Sequence, residues 1–270
     1  MSDALVGDFS RPLFGRSREL QQLRVACQDA IAGNGSLWLI AGEPGIGKTA
    51  LCEQIASEYS KAGGLSVFGH CYEEGSLSLP YLAFIEAIRA YLSTRDDVVP
   101  LTEPEATTAE VSRIVPELRS GRNLPESAGD PSSDRWRLLQ SVTDFLYGAS
   151  RSKPLLLVLE DLHWADRGTL DLLLHLSRGL TDSHLLVLGT YRDVDVDRNH
   201  PLSGTLAELR RVPSYRRIDL RGLSPTEVLT MISALAGQEV SEPTAQAIFR
   251  QTEGNPLFVQ EIQRYLEKKA

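Results

Sequence analysis

The sequence predicts an α/β fold: a doubly wound parallel sheet followed by a small C-terminal all-helical subdomain. Three observations carry that expectation. Short apolar runs alternate with helix-periodic segments from Leu37 to Leu220, the rhythm of βαβ units. One run, Leu155-Leu156-Leu157-Val158-Leu159, is aliphatic throughout, as a strand covered on both faces requires. After Leu220 the strand patterns cease and only helical spacing continues.

Phe14-Gly15-Arg16 leads into a helix with Leu20, Leu23, Cys27 and Ile31 on one face, and Gly33-Asn34-Gly35 stops it, as a helix C-cap should. Leu37 to Ala41 has the length of a buried strand; a glycine-rich loop and a helix from Ala50 to Ala62 follow, then a strand from Leu65 to Cys71. Pro80 opens a helix at a first-turn position, with Tyr81, Phe84, Ile85, Ile88, Tyr91 and Leu92 as its apolar stripe, a core face rather than a cofactor box. A modest helix is expected around Val111 to Leu118. Residues 120–133, rich in Gly, Pro, Ser and Asn, read as a flexible loop.

Trp136, Leu139, Val142, Phe145 and Leu146 mark a helix before the aliphatic strand. Helix Thr169 to Arg178, strand Leu185 to Thr190, helix Pro201 to Arg211 and strand Arg217 to Leu220 continue the alternation. Ser224-Pro225-Thr226-Glu227 is a capping box with proline at the first helical position. Helical stretches near 244–251 and 256–268 follow. The expected division is an α/β domain over 1–220 and a helical lid over 221–270.

The formal net charge of −8 argues against direct nucleic-acid binding, which needs a basic footprint. Arg210, Arg211, Arg216 and Arg217 cluster, and read as a solvated helix end and turn. Met1 to Pro12 carries no secretory signal, and no apolar run approaches the roughly 20 residues that span a bilayer. Cys27, Cys52 and Cys71 are an odd count, so the expected setting is cytoplasmic with reduced thiols. With His70 they lack the paired spacing of a zinc site.

Gly42-Glu43-Pro44-Gly45-Ile46-Gly47-Lys48-Thr49 fits G-x-x-x-x-G-K-[ST] between a strand and a helix, the context this P-loop motif requires. Its glycines let successive N–H groups turn toward one anion, and the next helix presents its positive end. The expected ligand is ATP or ADP with Mg²⁺, held by Glu43, Pro44, Gly45, Ile46, Gly47, Lys48, Thr49 and Ala50. Lys48 would reach the β- and γ-phosphates, and the Thr49 hydroxyl would ligate the metal. The bland alternative is a glycine turn beside a surface lysine.

A P-loop needs a carboxylate at a neighbouring strand end, and Leu155 to Leu159 runs into Glu160-Asp161. The expected division is Glu160 toward the metal and Asp161 toward the attacking water; the reverse stays open, since adjacent acids can exchange these jobs. Taken alone, the pair is equally a strand-to-loop exit. Asp166 reads as the N-cap of the next helix, and His163 as either a phosphate-sensing or a supporting group. Leu185 to Thr190 ends in Tyr191-Arg192-Asp193; Arg192 is a candidate γ-phosphate sensor or a surface arginine paired with Asp193 or Asp195. Asp193, Asp195 and Asp197 imitate a calcium loop but lack its glycine and final glutamate. Gly254-Asn255-Pro256-Leu257-Phe258 is by itself a turn and a proline-initiated helix start.

As a set, Phe14-Gly15-Arg16 with Glu19-Leu20, Gly42 to Thr49, Leu155 to Asp166, Arg192 and Gly254 to Phe258 resemble the STAND class of signal-transduction ATPases within the AAA+ group. The likeness is to the ATPase modules of large LuxR-type transcriptional regulators and cyclase-associated ATPases, and covers nearly the whole chain. It implies that Phe14, Gly15 and Arg16 border the adenine and ribose, that Arg192 is the sensor, and that Pro256 touches the base. It also implies a regulatory switch that rests closed around ADP, exchanges it for ATP and self-associates on stimulation. Glu160 departs from the pattern, where the class often has aspartate, and no arginine finger is identifiable, so slow Mg²⁺-dependent hydrolysis is expected. The remaining readings are a small-molecule kinase and a non-hydrolysing ADP-bound scaffold. Lys268-Lys269-Ala270 directly follows the lid, so the chain is expected to be the front of a longer protein with sensor and effector domains downstream.

Overall fold

The five expected strands form in the computed structural model of the chain, which describes residues 13–73, 79–94, 104–119 and 131–267. They are β1 (Ser36–Ala41), β2 (Leu65–His70), β3 (Leu155–Glu160), β4 (Leu185–Tyr191) and β5 (Tyr215–Asp219). All pair in parallel, in the order β2-β3-β4-β1-β5. This order sets the ends of β3, β4 and β1 side by side, at the crevice where α/β sheets bind ligands.

Strand β3 is buried at all six positions, the five aliphatic residues and Glu160. Leu155, Leu157 and Leu159 join one core layer, while Leu156 and Val158 join the other, following the two-residue alternation of a strand. At about 1.5–3 kcal/mol per fully buried aliphatic side chain, β3 anchors both layers.

The first layer is covered by α3 (Leu82–Ser93), α5 (Pro131–Ser152), α6 (Arg167–Ser177) and α7 (Pro201–Leu209), and the second by α1 (Ser17–Ile31) and α2 (Lys48–Lys61). A short α4 (Glu105–Val111) and a 3-10 turn over Pro116–Arg119 occupy the region of the modest helix. Edge strand β5 starts two residues earlier than expected, because Tyr215 pairs with Leu37. Arg216 and Arg217 are exposed on it, and charged side chains suit a sheet edge that must not pair further. Arg217 Nε donates to Asp219 at 2.7 Å.

Two boundary expectations are corrected. Pro80 does not open its helix: α3 begins at Leu82, and Tyr81 takes a left-handed conformation at φ 66°. The cause is tertiary, since the Tyr81 N–H is drawn to Asp166 Oδ2 at 3.2 Å. Of the loop expected over 120–133, residues 120–130 lie outside the described residues, and 131–133 belong to α5.

Beyond β5 come α8 (Pro225–Ala236), α9 (Glu242–Thr252) and α10 (Pro256–Glu267). The capping box forms as the sequence predicts: Glu227 N–H donates to Ser224 Oγ at 3.3 Å and Ser224 N–H to Glu227 Oε2 at 2.7 Å. These helices share a separate hydrophobic cluster of Leu223, Val228, Met231, Ile232, Ala245, Ile248 and Val259, against which Phe14 also packs. Among the described residues no helix is long and apolar enough to cross a membrane.

Candidate functional site

The loop between β1 and α2 turns through Gly42 (φ 156°), Gly45 (φ 75°) and Gly47 (φ 102°). Gly47 is the left-handed N-cap of α2, so the positive end of that helix faces the loop. The Lys48 side chain folds back over the loop, donating to Gly42 O at 2.8 Å and Glu43 O at 2.9 Å. Burial lowers the pKa of its ammonium, and the Asp161 carboxylate opposes that shift.

A cavity of about 690 Å³ opens here, between the sheet's carboxyl ends and the C-terminal helices. Of the sequence-predicted residues, Phe14, Arg16, Pro44, Gly45, Ile46, Gly47, Lys48, Thr49, Ala50, Asp161, Arg192 and Pro256 line it. Gly15, Glu43 and Glu160 are not on its wall. Gly15 (φ 64°) instead abuts the C-terminal helices, where an added Cβ would come within 2.5 Å of Leu223 Cδ2 and 2.7 Å of Glu227 Cδ. Arg16 is buried and donates from Nη2 to Ile46 O at 2.9 Å. Burial lowers its pKa, with Glu19 and Glu227 opposing. The cavity wall also includes Glu53, Gln54, Met231 and Gln260, which no motif marked. Helical spacing held the clue: Glu53 follows Thr49 by four residues and Gln260 follows Pro256 by four, so each pair shares a helix face.

The two acids part company at the end of β3. Asp161 adopts φ 57°, its N–H donating to Thr190 Oγ1 at 3.0 Å. That left-handed turn costs an aspartate little beside other residues, and it delivers the carboxylate to the cavity. Glu160 stays in the strand, 7% exposed, with Oε2 3.5 Å from His70 Nε2. Its Oε1 is buried without a hydrogen-bond partner. The His70 ring also meets Glu86 Oε2 at 3.0 Å through Nδ1, and Tyr72 Oη donates to Glu86 Oε1 at 2.9 Å. Sequence reasoning missed this cluster because its members come from β2, α3 and β3.

Hydrogen bonding to Glu160, then to Glu86, raises the His70 pKa to about 9 despite partial burial. The folded pKa exceeds the ordinary value of about 6.5, so the stabilisation is full below pH ~6.5 and is lost as pH rises through ~9. A His70→Gln variant is expected to lose that slope of stability between these limits, and NMR titration of the wild-type ring should report a midpoint near 9. A wild-type midpoint near 6.5 contradicts the imidazolium bridge.

Arg192 lies over the Trp164 ring, 4.9 Å from its centroid, with Nη1 3.9 Å from Asp195 Oδ2. The His163 ring packs on the same tryptophan at 4.6 Å. His163 is buried; its nitrogens stand 3.8 Å from Asp161 Oδ1 and 3.7 Å from Asp195 Oδ2, too far for hydrogen bonds. Burial lowers its pKa, so the neutral ring is favoured, against the pull of Asp161. Asp166 caps α6, accepting from Thr169 N–H at 3.0 Å, as expected.

The C-terminal helices reach the loop directly. Asn255 Nδ2 donates to Pro44 O at 2.9 Å and Leu257 N–H to Gly45 O at 3.3 Å. Gly45 has no room for a side chain: a Cβ would stand 2.7 Å from Leu257 Cβ.

Comparison with known proteins agrees with this architecture. The chain is 25% identical, over an alignment of 277 positions, to the uncharacterized protein R02095 of Rhizobium meliloti (strain 1021), a match that covers 97% of this chain and 26% of that protein. The chain thus spans about a quarter of its relative's length. The fold is similar to Cdc6p of Pyrobaculum aerophilum (TM-score 0.51, 17% identity, covering 92% of this chain and 58% of that one). It is also similar to AMPPCP-bound DnaA of Aquifex aeolicus (TM-score 0.50, 13% identity, covering 94% and 61%). Residues 12–188, most of the chain, match the model of the AAA ATPase domain, and the chain belongs to that family.

Proposed function

We propose that this chain is an ATP- or ADP-binding regulatory switch with slow Mg²⁺-dependent hydrolysis, of the STAND class. The carrying observation is that the P-loop, Asp161 and Arg192 line one cavity roofed by helices docked on the loop itself. In this reading residues 1–220 form the nucleotide-binding body and 221–270 the lid. The loop amides and Lys48 hold the phosphates; Phe14, Gly15, Arg16 and Pro256 enclose the base and ribose, Gly15 by seating that arm on the lid.

The site fits a magnesium ion. The Thr49 hydroxyl and the Asp161 carboxylate, both on the cavity wall, are the oxygen donors that would hold it, whereas Glu160 Oε1 is buried off that wall without a hydrogen-bond partner. When bound, the ion would neutralise phosphate charge. The Asp161 carboxylate orients the attacking water and accepts its proton. Compared with the assignment drawn from sequence, this arrangement favours Asp161 over Glu160 as the acid nearest the phosphates.

Slow turnover follows from where Arg192 rests. Its guanidinium lies over the Trp164 ring with Nη1 3.9 Å from Asp195 Oδ2, so a γ-phosphate competes with both groups for it. Its arrival is the event that distinguishes ATP from ADP. The match to a quarter of a longer relative supports a multidomain setting, with self-association in the ATP state and sensing and effector parts elsewhere.

Chromatographic analysis of nucleotide released from the purified protein, followed by single-turnover hydrolysis of ATP, tests the proposal. ADP retained on purification and hydrolysis slower than about 1 s⁻¹, below the bulk of enzyme turnover rates, is expected. Phosphate transfer to a small molecule indicates a kinase, and nucleotide bound without turnover indicates a scaffold.

A further inference from the structure

Three consecutive carbonyls of the phosphate-binding loop are each capped from outside it. Pro44 O accepts from Asn255 Nδ2 at 2.9 Å, Gly45 O from Leu257 N–H at 3.3 Å, and Ile46 O from Arg16 Nη2 at 2.9 Å. Two of these donors sit at the start of α10. In a trans peptide the carbonyl of one residue and the N–H of the next point in opposite directions. Holding the Pro44 and Ile46 carbonyls outward therefore turns the Gly45 and Gly47 N–H groups the other way, toward the anion site. The Ile46 N–H is committed in part, with a long bond to Glu43 O at 3.4 Å.

Asn255 is built for this contact. It is 4% exposed, and its Oδ1 shares the Leu257 N–H with Gly45 O, accepting at 3.1 Å. That bond fixes which end of the amide faces Pro44. Its own N–H donates to Thr252 O at 2.8 Å, tying it to the end of α9. The contact joins residues 211 apart in the chain.

We propose that Asn255 is a positioning residue for phosphate binding, through which the C-terminal helices set the peptide planes of the P-loop. The loop is competent only while those helices are docked, so docking and phosphate binding are one coupled event. By reciprocity, a bound diphosphate tightens the docking by the factor that docking tightens the diphosphate. This inference rests on the nucleotide-binding reading above.

The test uses the full chain and ADP with Mg²⁺, comparing wild type with Asn255→Ala. ADP affinity by calorimetry is expected to fall about 5- to 20-fold, the scale of one buried side-chain hydrogen bond with its partner left unpaired. Amide exchange over residues 43–49 is expected to speed up, while α8, α9 and the body of α10 keep their protection. Three results overturn the inference: an affinity within twofold of wild type, a weaker affinity with unchanged loop exchange, or a weaker affinity with protection lost across α8 to α10. Failure of the wild type itself to bind ADP defeats the nucleotide-binding reading instead, so the two failures are distinct.

Discussion

Lys48→Ala is expected to weaken ADP and ATP binding by at least about 100-fold and to leave no measurable hydrolysis. Lys48 is 8% exposed and lines the cavity beside the loop. A charge-assisted hydrogen bond contributes about 1.5–3 kcal/mol, and two phosphates would share this one cation. Roughly 3 kcal/mol corresponds to about two decades in affinity. The fold should survive, because among the described residues the Lys48 ammonium donates to the carbonyls of Gly42 and Glu43 within its own loop and already bears a burial penalty. Calorimetry with ADP, beside a thermal melt, decides the matter. Retained affinity within threefold would remove the phosphate-binding role from this lysine.

Gly254→Ala is expected to destabilise the C-terminal helices by about 2–5 kcal/mol. The residue sits at φ 75°, a region that costs a side-chain-bearing residue about 1–2 kcal/mol. An added Cβ would also fall 2.0 Å from Leu223 O and 2.7 Å from Leu223 N, an overlap that adds roughly 1–3 kcal/mol as the backbone shifts. The contact cannot open freely, since Leu223 N–H donates to Gly254 O at 2.8 Å. That bond joins the segment leaving β5 to the turn before α10. Denaturant unfolding followed by amide exchange in α8 to α10 reads the effect. An unchanged exchange pattern in these helices would show that the turn can relax without cost. Nucleotide affinity is expected to fall with it, because the turn carries Asn255 and Pro256 to the P-loop.

Much of the candidate site was legible in the chain. The glycines, Lys48 and Thr49 declare themselves because phosphate binding makes a local demand: several N–H groups and one cation must converge within eight residues. The strand before them and the helix after them were equally readable, since burial on both faces leaves a continuous aliphatic run. Asp161 and Arg192 could be proposed from their places just past buried strands. Which acid faces the cavity could not be read, because the answer lies in the left-handed turn at Asp161 and in the Thr190 hydroxyl that receives its N–H. Glu160 is kept in the strand, where His70 from a neighbouring strand meets it.

The sequence alone determined the alternation of strands and helices, the phosphate-binding loop and the capping box that starts the C-terminal helices. Each is specified by residues within a few positions of one another, so local propensity and periodicity are enough. Tertiary structure alone decided the strand order that sets Asp161 and Arg192 beside the loop. It also moved the start of α3 past Pro80 and seated Asn255 on Pro44. Those outcomes depend on pairs of groups far apart in the chain, where close packing selects the partner and no local pattern records the choice.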